Sequence, residues 1–335
     1  MRPQLNPRML LGVVGLLILI AVPTLMGELP KGEYYLHILV LILMNAYLST
    51  SWNILGGYAG QHSLGHGIFL GTGAYVSTAL FVYLGLSPWL GMWVGAALAA
   101  LFGWFIGYLC FRYGIKGPYF ALVTIALAEA MLYLVTNIKV LGGARGLEVS
   151  WKGTNLGLFQ FSDKAGYYYV ALVLALAGIL LTYWFSHHRF GYYLVAVREN
   201  EEAAQALGVD LLREKVRATV LSAALTAIGG TFYAQYFTYI NPRSVFGEGP
   251  SVQILLFSII GGLGTVWGPT VGALLLVPLA EITRARLGGS FAGAHLLLYG
   301  AILVVVMLFM PKGIVGLFDT LRMKIGPKPD QGGGQ

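Results

Sequence analysis

The chain has a single cysteine in 335 residues, Cys110, set within an apolar run. One thiol excludes an internal disulfide and a cysteine-built metal centre. Charge is equally scarce. Asp, Glu, Lys and Arg make up 10% of the residues, against about 25% in an ordinary soluble domain. A water-facing surface on a chain this long needs more charge than that. The sequence contains no Gly-Lys pair, so no G-x-x-x-x-G-K-[ST] phosphate loop exists and ATP is not hydrolysed through one. Neither H-E-x-x-H nor G-x-S-x-G occurs, which removes the common helix-borne zinc site and the nucleophile elbow of hydrolases. No cofactor signature is left, and any ATP that drives this chain is bound by another.

What the chain has in abundance is apolar surface. Apolar residues are 57% of the total and mean hydropathy is +0.73. Lipid solvates such a surface and water does not. A helix needs about 20 mostly apolar residues to cross a bilayer. Runs of that kind cover roughly 9–26, 34–55, 68–84, 89–111, 118–138, 167–186, 217–239, 251–266, 268–283 and 293–310. The eighth and ninth are short enough to form one re-entrant hairpin. The expected fold is therefore an all-α polytopic membrane protein of about 8–10 transmembrane helices. It is one transmembrane domain over 1–335, with a membrane core at 9–318, a charged loop at 187–216 and a tail at 319–335.

The first run follows Arg2 and Arg8, as a secretory signal does, but it is long enough to span and no small-x-small cleavage site follows it. It reads as a retained helix. The Lys/Arg distribution sets the orientation. With the N-terminus in the cytoplasm, most of the 21 basic residues fall inside, among them Arg112, Lys116, Arg189, Arg198, Arg213, Lys215 and Arg217. Arg284 and Arg286 run against that threading. Both termini are expected to be cytoplasmic. Topology explains the net charge of +7 without a nucleic-acid partner, because the basic residues form no single soluble patch.

Two segments are too rich in glycine for ordinary helices, at about 1 kcal/mol per Gly relative to Ala. The first reads Gly56-Gly57-Tyr58-Ala59-Gly60-Gln61-His62-Ser63-Leu64-Gly65-His66-Gly67, and the second Gly261-Gly262-Leu263-Gly264-Thr265-Val266-Trp267-Gly268-Pro269. Both open on Gly-Gly, and Gly73-Ala74 and Gly272-Ala273 are the expected helix starts beyond them. Discontinuous helices of this sort are tolerated at membrane depth where they line a cavity, and paired breaks point to a transport pathway. Close helix packing by small residues accounts for the same glycines. His62 and His66 are four apart and would share a helical face, but no third ligand lies nearby, so hydrogen bonding is expected rather than metal. Glu129 lies inside the fifth run. An ionisable group there is costly and is expected to face the bundle interior. A hydrogen-bonded role and an ion-coupling role are both open to it.

The most charged stretch, Arg198-Glu199-Asn200-Glu201-Glu202-Ala203-Ala204-Gln205-Ala206-Leu207-Gly208, reads as a short helix. Acidic residues suit its first turn and Gly208 its stop. A short amphipathic helix on a cytoplasmic face suits partner docking. The pattern Glu202-Ala203-Ala204-x-x-x-Gly208 resembles the loop by which ABC importer permeases engage their ATPases. Together with Gly57–His66, Lys116-Gly-Pro-Tyr-Phe-Ala-Leu-Val-Thr124 and Gly261–Gly268, it resembles the LivM-type permeases of branched-chain amino acid ABC importers over about residues 35–318.

That resemblance implies an inverted-repeat ABC permease architecture in a bacterial inner membrane. It also implies a second, LivH-like permease, two cytoplasmic ATPase subunits that bind the ATP, and an external substrate-binding protein. Arg198, Glu199, Glu202, Ala203, Ala204 and Gly208 would couple to the ATPase. Gly57, Gln61, His62, Ser63, His66, Thr124, Glu129, Gly261, Gly262, Gly264 and Thr265 would border the pathway. Urea and amide importers share the scaffold, and a gradient-driven amino-acid carrier using Glu129 is the other reading.

Overall fold

A computed structural model describes residues 7–27, 30–287, 297, 300–301, 304–305, 308 and 313–316. The helices run α1 (Pro7–Gly27), α2 (Gly32–Asn53), α3 (Gly67–Leu84), α4 (Pro88–Arg112), α5 (Pro118–Asn137), α6 (Lys164–Ser186), α7 (Arg189–Glu199), α8 (Glu201–Ala206), α9 (Leu211–Phe237), α10 (Pro242–Phe246), α11 (Glu248–Gly261) and α12 (Gly268–Leu287). A π turn, Ile54–Tyr58, extends α2. Six stretches among the described residues are long and apolar enough to cross a membrane: 32–58, 67–84, 88–112, 118–137, 164–186 and 242–261. The chain is thus an all-α polytopic membrane protein. The expected run at 293–310 and the tail at 319–335 lie mostly or wholly outside the described residues.

Local chemistry sets the boundaries. Ser87 caps α4 by accepting from the Trp89 N–H, with Pro88 at the first helical position, where no amide donor is needed. α3 ends where Gly85 turns left-handed at φ 67° and Leu86 N–H reaches back to Leu80 O at 3.2 Å. Asp210 caps α9, its Oδ1 accepting from Arg213 N–H at 3.0 Å. That cap starts α9 six residues before the apolar run expected from 217, so its first turns carry Arg213, Glu214, Lys215 and Arg217.

α9 runs through the middle of the molecule, packed on α3, α4 and α2. The three-way contact of α3, α4 and α9 depends on missing side chains. A Cβ on Gly73 would strike the Ala227 carbonyl, and one on Gly230 would strike the Leu70 carbonyl. Small residues let transmembrane backbones approach this closely. α6 and α12 pack on α2, and α11 packs on α12. Outward faces stay apolar: Trp93, Trp104 and Phe105 on α4, Leu122 and Tyr133 on α5, and Leu180 and Trp184 on α6 are all exposed. Lipid is the solvent that suits them.

The contacts define two ends. At one, Leu147–Glu148 pairs antiparallel with Tyr239–Ile240, and Lys164 meets Glu33 at 3.7 Å. At the other, which carries the connection 187–210, Lys215 meets Glu201 at 2.6 Å and Arg198 reaches the Gly57 carbonyl at 2.9 Å. These are called here the far end and the loop end. Both glycine breaks turn at the loop end, where Gly57 and Gly264 are in contact.

Candidate functional site

The first break starts as α2 loosens into its π turn and continues as a non-helical return over 59–66. Side chains fix that return to the bundle. Trp52 Nε1–H donates to Ser63 O at 2.7 Å. Leu64 N–H donates to Thr124 Oγ1 at 3.1 Å, which attaches the return to α5. His66 is fully buried, its Nδ1 at 3.1 Å from Ser63 Oγ and its Nε2 at 2.8 Å from Ser222 Oγ. The Ser222 hydroxyl spends its only hydrogen on Ser51 O at 2.7 Å. It therefore accepts from His66, which assigns the proton to Nε2. His62 lies on the same return but is exposed, so the two histidines do not share a helical face. The segment between them is not a helix.

The second break, 262–267, is shorter. Gly262 at φ 135° and Gly264 at φ 68° take conformations that a side chain resists. Thr265 closes the turn, donating to Gly262 O at 2.9 Å and accepting from Gly268 N–H at 3.0 Å. That bond starts α12 at Gly268. Helix α3 likewise starts at Gly67. Both begin earlier than the expected Gly73-Ala74 and Gly272-Ala273, which lie inside their helices as close-packing positions.

Two residues join the breaks. Asn53, fully buried, accepts from Gly264 N–H and donates to Thr265 O, each at 2.9 Å. Arg198, at the end of α7, donates through Nη1 to Gly57 O at 2.9 Å and through Nη2 to Glu199 Oε1 at 2.7 Å. A side chain on Gly264 would collide with that guanidinium. Arg198 was legible as a loop residue, but Asn53 was not singled out. Its signal is a carboxamide in an apolar run, one turn before Gly56-Gly57.

The expected helix in the loop is α8. Asn200 caps it, accepting from Ala203 N–H at 3.0 Å, with Glu201 and Glu202 in the first turn and Gly208 at φ 86° beyond its end. Glu201 holds α8 down through Lys215 at 2.6 Å and Lys116 at 3.9 Å. Lys215 is buried and also sits over the Phe111 ring. Sequence reading missed this anchor, because each residue alone looks like a surface charge. Ala204 packs inward, whereas Glu202, Ala203 and Leu207 stand exposed.

A cavity of about 930 Å³ opens between loop and breaks, lined by Gly57, Gln61, His62, Arg198, Glu199 and Glu202 among others. The two residue sets expected from the sequence thus meet in one place. Ser63, His66 and Thr124 lie outside its lining; of the second break Leu263 lines it, while Gly262, Gly264 and Thr265 belong to the same turn and Gly261 ends α11. Glu129 is not brought there. Expected to face the bundle interior, it is only half-buried on α5, and among the described residues no cation pairs with it. α5 lies at the bundle's edge, packed on α3, α10 and α11.

Residues 34–307 match the family model described as branched-chain amino acid transport system / permease component. The chain is 28% identical to the high-affinity branched-chain amino acid transport system permease protein LivM of Escherichia coli (strain K12), over 86% of this chain and 72% of the relative. It is 25% identical to LivH of the same organism, over 81% and 91%. To the probable LivM of Methanocaldococcus jannaschii it is 23% identical, over 74% and 76%. No solved structure matches. Such relatives are transport permeases and carry no enzyme active site. The exposed helix α8, the two stapled breaks and the lipid-facing helices thus fall within a matched span that covers most of the sequence, and the chain belongs to the branched-chain amino acid transport system permease family.

Proposed function

We propose that this chain is a membrane-spanning subunit of an ATP-driven importer and passes branched-chain amino acids across a bacterial inner membrane. The relatives' printed function supports that substrate class. In this reading the loop end is cytoplasmic, as are both termini. A LivH-type permease stands beside the chain, two ATPase subunits dock on the loop end, and a binding protein delivers substrate at the far end. The chain itself needs no cofactor, since ATP belongs to the partners.

One observation carries the coupling reading. Arg198, three residues before the exposed face of α8, is bonded to the first break and touches the second. A push on α8 from an ATPase therefore reaches both breaks through one side chain. Parting the breaks opens the small, glycine-lined seam, and bringing them together shuts it. Exposed backbone groups at the seam suit the charged ends of an amino acid, and the missing side chains leave room for its aliphatic part.

The test is leucine uptake into proteoliposomes holding the complete importer. Uptake is expected to require internal ATP and to be indifferent to a proton gradient. Uptake that persists on a gradient alone, without ATP, would overturn the reading.

A further inference from the structure

Toward the far end lies a second cavity, of about 580 Å³, within the roughly 300–1,000 Å³ usual for small-molecule sites. It lies between α2, α9, α11 and α12. Its wall is mainly aliphatic, with Leu41, Met44 and Leu48 of α2, Leu70 of α3, Ile254 of α11 and Val277 of α12, interrupted by the carboxamides of Asn45 and Gln253. Its rim is charged. Glu248 begins α11, while Glu281 and Arg284 stand on the last turns of α12, paired at 2.9 Å. Between this cavity and the one at the loop end runs a closed seam. Ser258 Oγ donates to Ser49 O at 3.0 Å, and beyond it Asn53 staples Gly264 and Thr265. The seam holds an orphan. The hydroxyl of Ser49 is fully buried and finds no hydrogen-bond partner among the described residues. Buried polar groups are rarely left so without a functional reason.

We propose that this cavity is the substrate chamber when the loop end is shut, and that it holds an aliphatic, zwitterionic amino acid. The inference rests on the transport reading above. The side chain lies against the aliphatic wall. The carboxylate meets Arg284, whose guanidinium has donors to spare beyond its bond to Glu281. The ammonium meets Glu248. An anionic lipid headgroup fits poorly, because two of the three rim charges are carboxylates. When the seam opens, the Ser49 hydroxyl offers a partner to a charged end of the amino acid as it leaves the rim.

The test uses the complete importer in proteoliposomes, with Cys110→Ser removing the chain's only, buried thiol. Val277→Cys is then probed from the far end with a charged, membrane-impermeant thiol reagent. Modification is expected to cut leucine uptake by about tenfold, and leucine, but not glutamate, is expected to slow that modification by a similar factor. In the Cys110→Ser background with Val277 intact, the reagent is expected to change nothing. Arg284→Gln is expected to raise the leucine concentration for half-maximal uptake by about tenfold in an importer that assembles as the parent does. An unreactive Val277→Cys would overturn the proposal and assign the space to lipid or to the second permease. Reactivity that leucine does not slow, or an Arg284→Gln importer with unchanged half-maximal concentration, would overturn it too. In either case leucine uptake by the parent importer would leave the transport function standing. A parent importer that moves no leucine would overturn both.

Discussion

The two glycine breaks look alike in sequence and are held in different ways. The first is fastened by side chains to three helices: to α2 by Trp52 and Ser63, to α9 by His66 and Ser222, and to α5 by Leu64 and Thr124. The second is held by its own turn through Thr265, tied to the first through Asn53 and Arg198, and packed at Gly262 against Gly313. In the proposed coupling reading the first break is the fixed jaw and the second the movable one. Glycine in both supplies the turn, and hydrogen bonding decides which one travels.

His66→Leu should show the largest effect on folding. It removes two buried hydrogen bonds and leaves the Ser63 and Ser222 hydroxyls short of a partner. At about 1–3 kcal/mol for each buried group left unsatisfied, thermal unfolding of the purified complex should fall by several degrees. A melting temperature equal to the parent's would mean that the first break is not anchored through this histidine.

Asn53→Leu frees the movable jaw instead. It strips Gly264 N–H and Thr265 C=O of their partner, for about 1–3 kcal/mol, while the anchors of the first break remain. Uptake is expected to drop by about tenfold, and ATP hydrolysis to continue without transport. A fall in both together would show the staple to be purely structural.

How much of this was legible depended on what each residue does locally. The breaks themselves were visible, because repeated glycines, Gly56 to Gly67 and Gly261 to Gly268, speak against continuous helix at short range. Helix α8 was visible for the same reason, since Glu201, Glu202 and Gly208 act within a turn or two. The helix starts were misplaced because Gly73 and Gly272 answer to a distant backbone, at Ala227 and Phe257. Asn53 was passed over because its partners lie more than 200 residues away. Glu129 drew attention for its charge, but charge alone does not say which way a helix faces.

Arg198→Ala should separate coupling from stability. Its side chain is partly exposed, and its pair with Glu199 contributes at most about 1 kcal/mol. Melting is therefore expected to change little, while substrate-stimulated ATP hydrolysis falls several-fold. Unaltered stimulation would break the link between α8 and the jaws. The smallest effect is expected for Glu129→Gln, which lies on neither jaw. Uptake should stay within about twofold of the parent, and complete loss in an assembled complex would move the reading toward ion coupling.

The glycine-packed trio of α3, α4 and α9 has a consequence for how this protein tolerates variation. Where Gly73 and Gly230 press against foreign carbonyls, the first carbon of any side chain is already too much. In a saturation scan read by uptake, alanine should therefore be depleted at these two sites nearly as strongly as tryptophan, whereas the exposed apolar positions of α4 should accept most lipid-soluble residues. The least tolerant positions would then be those that contribute no side-chain atoms at all, and their intolerance would trace the part of the molecule that moves as one piece.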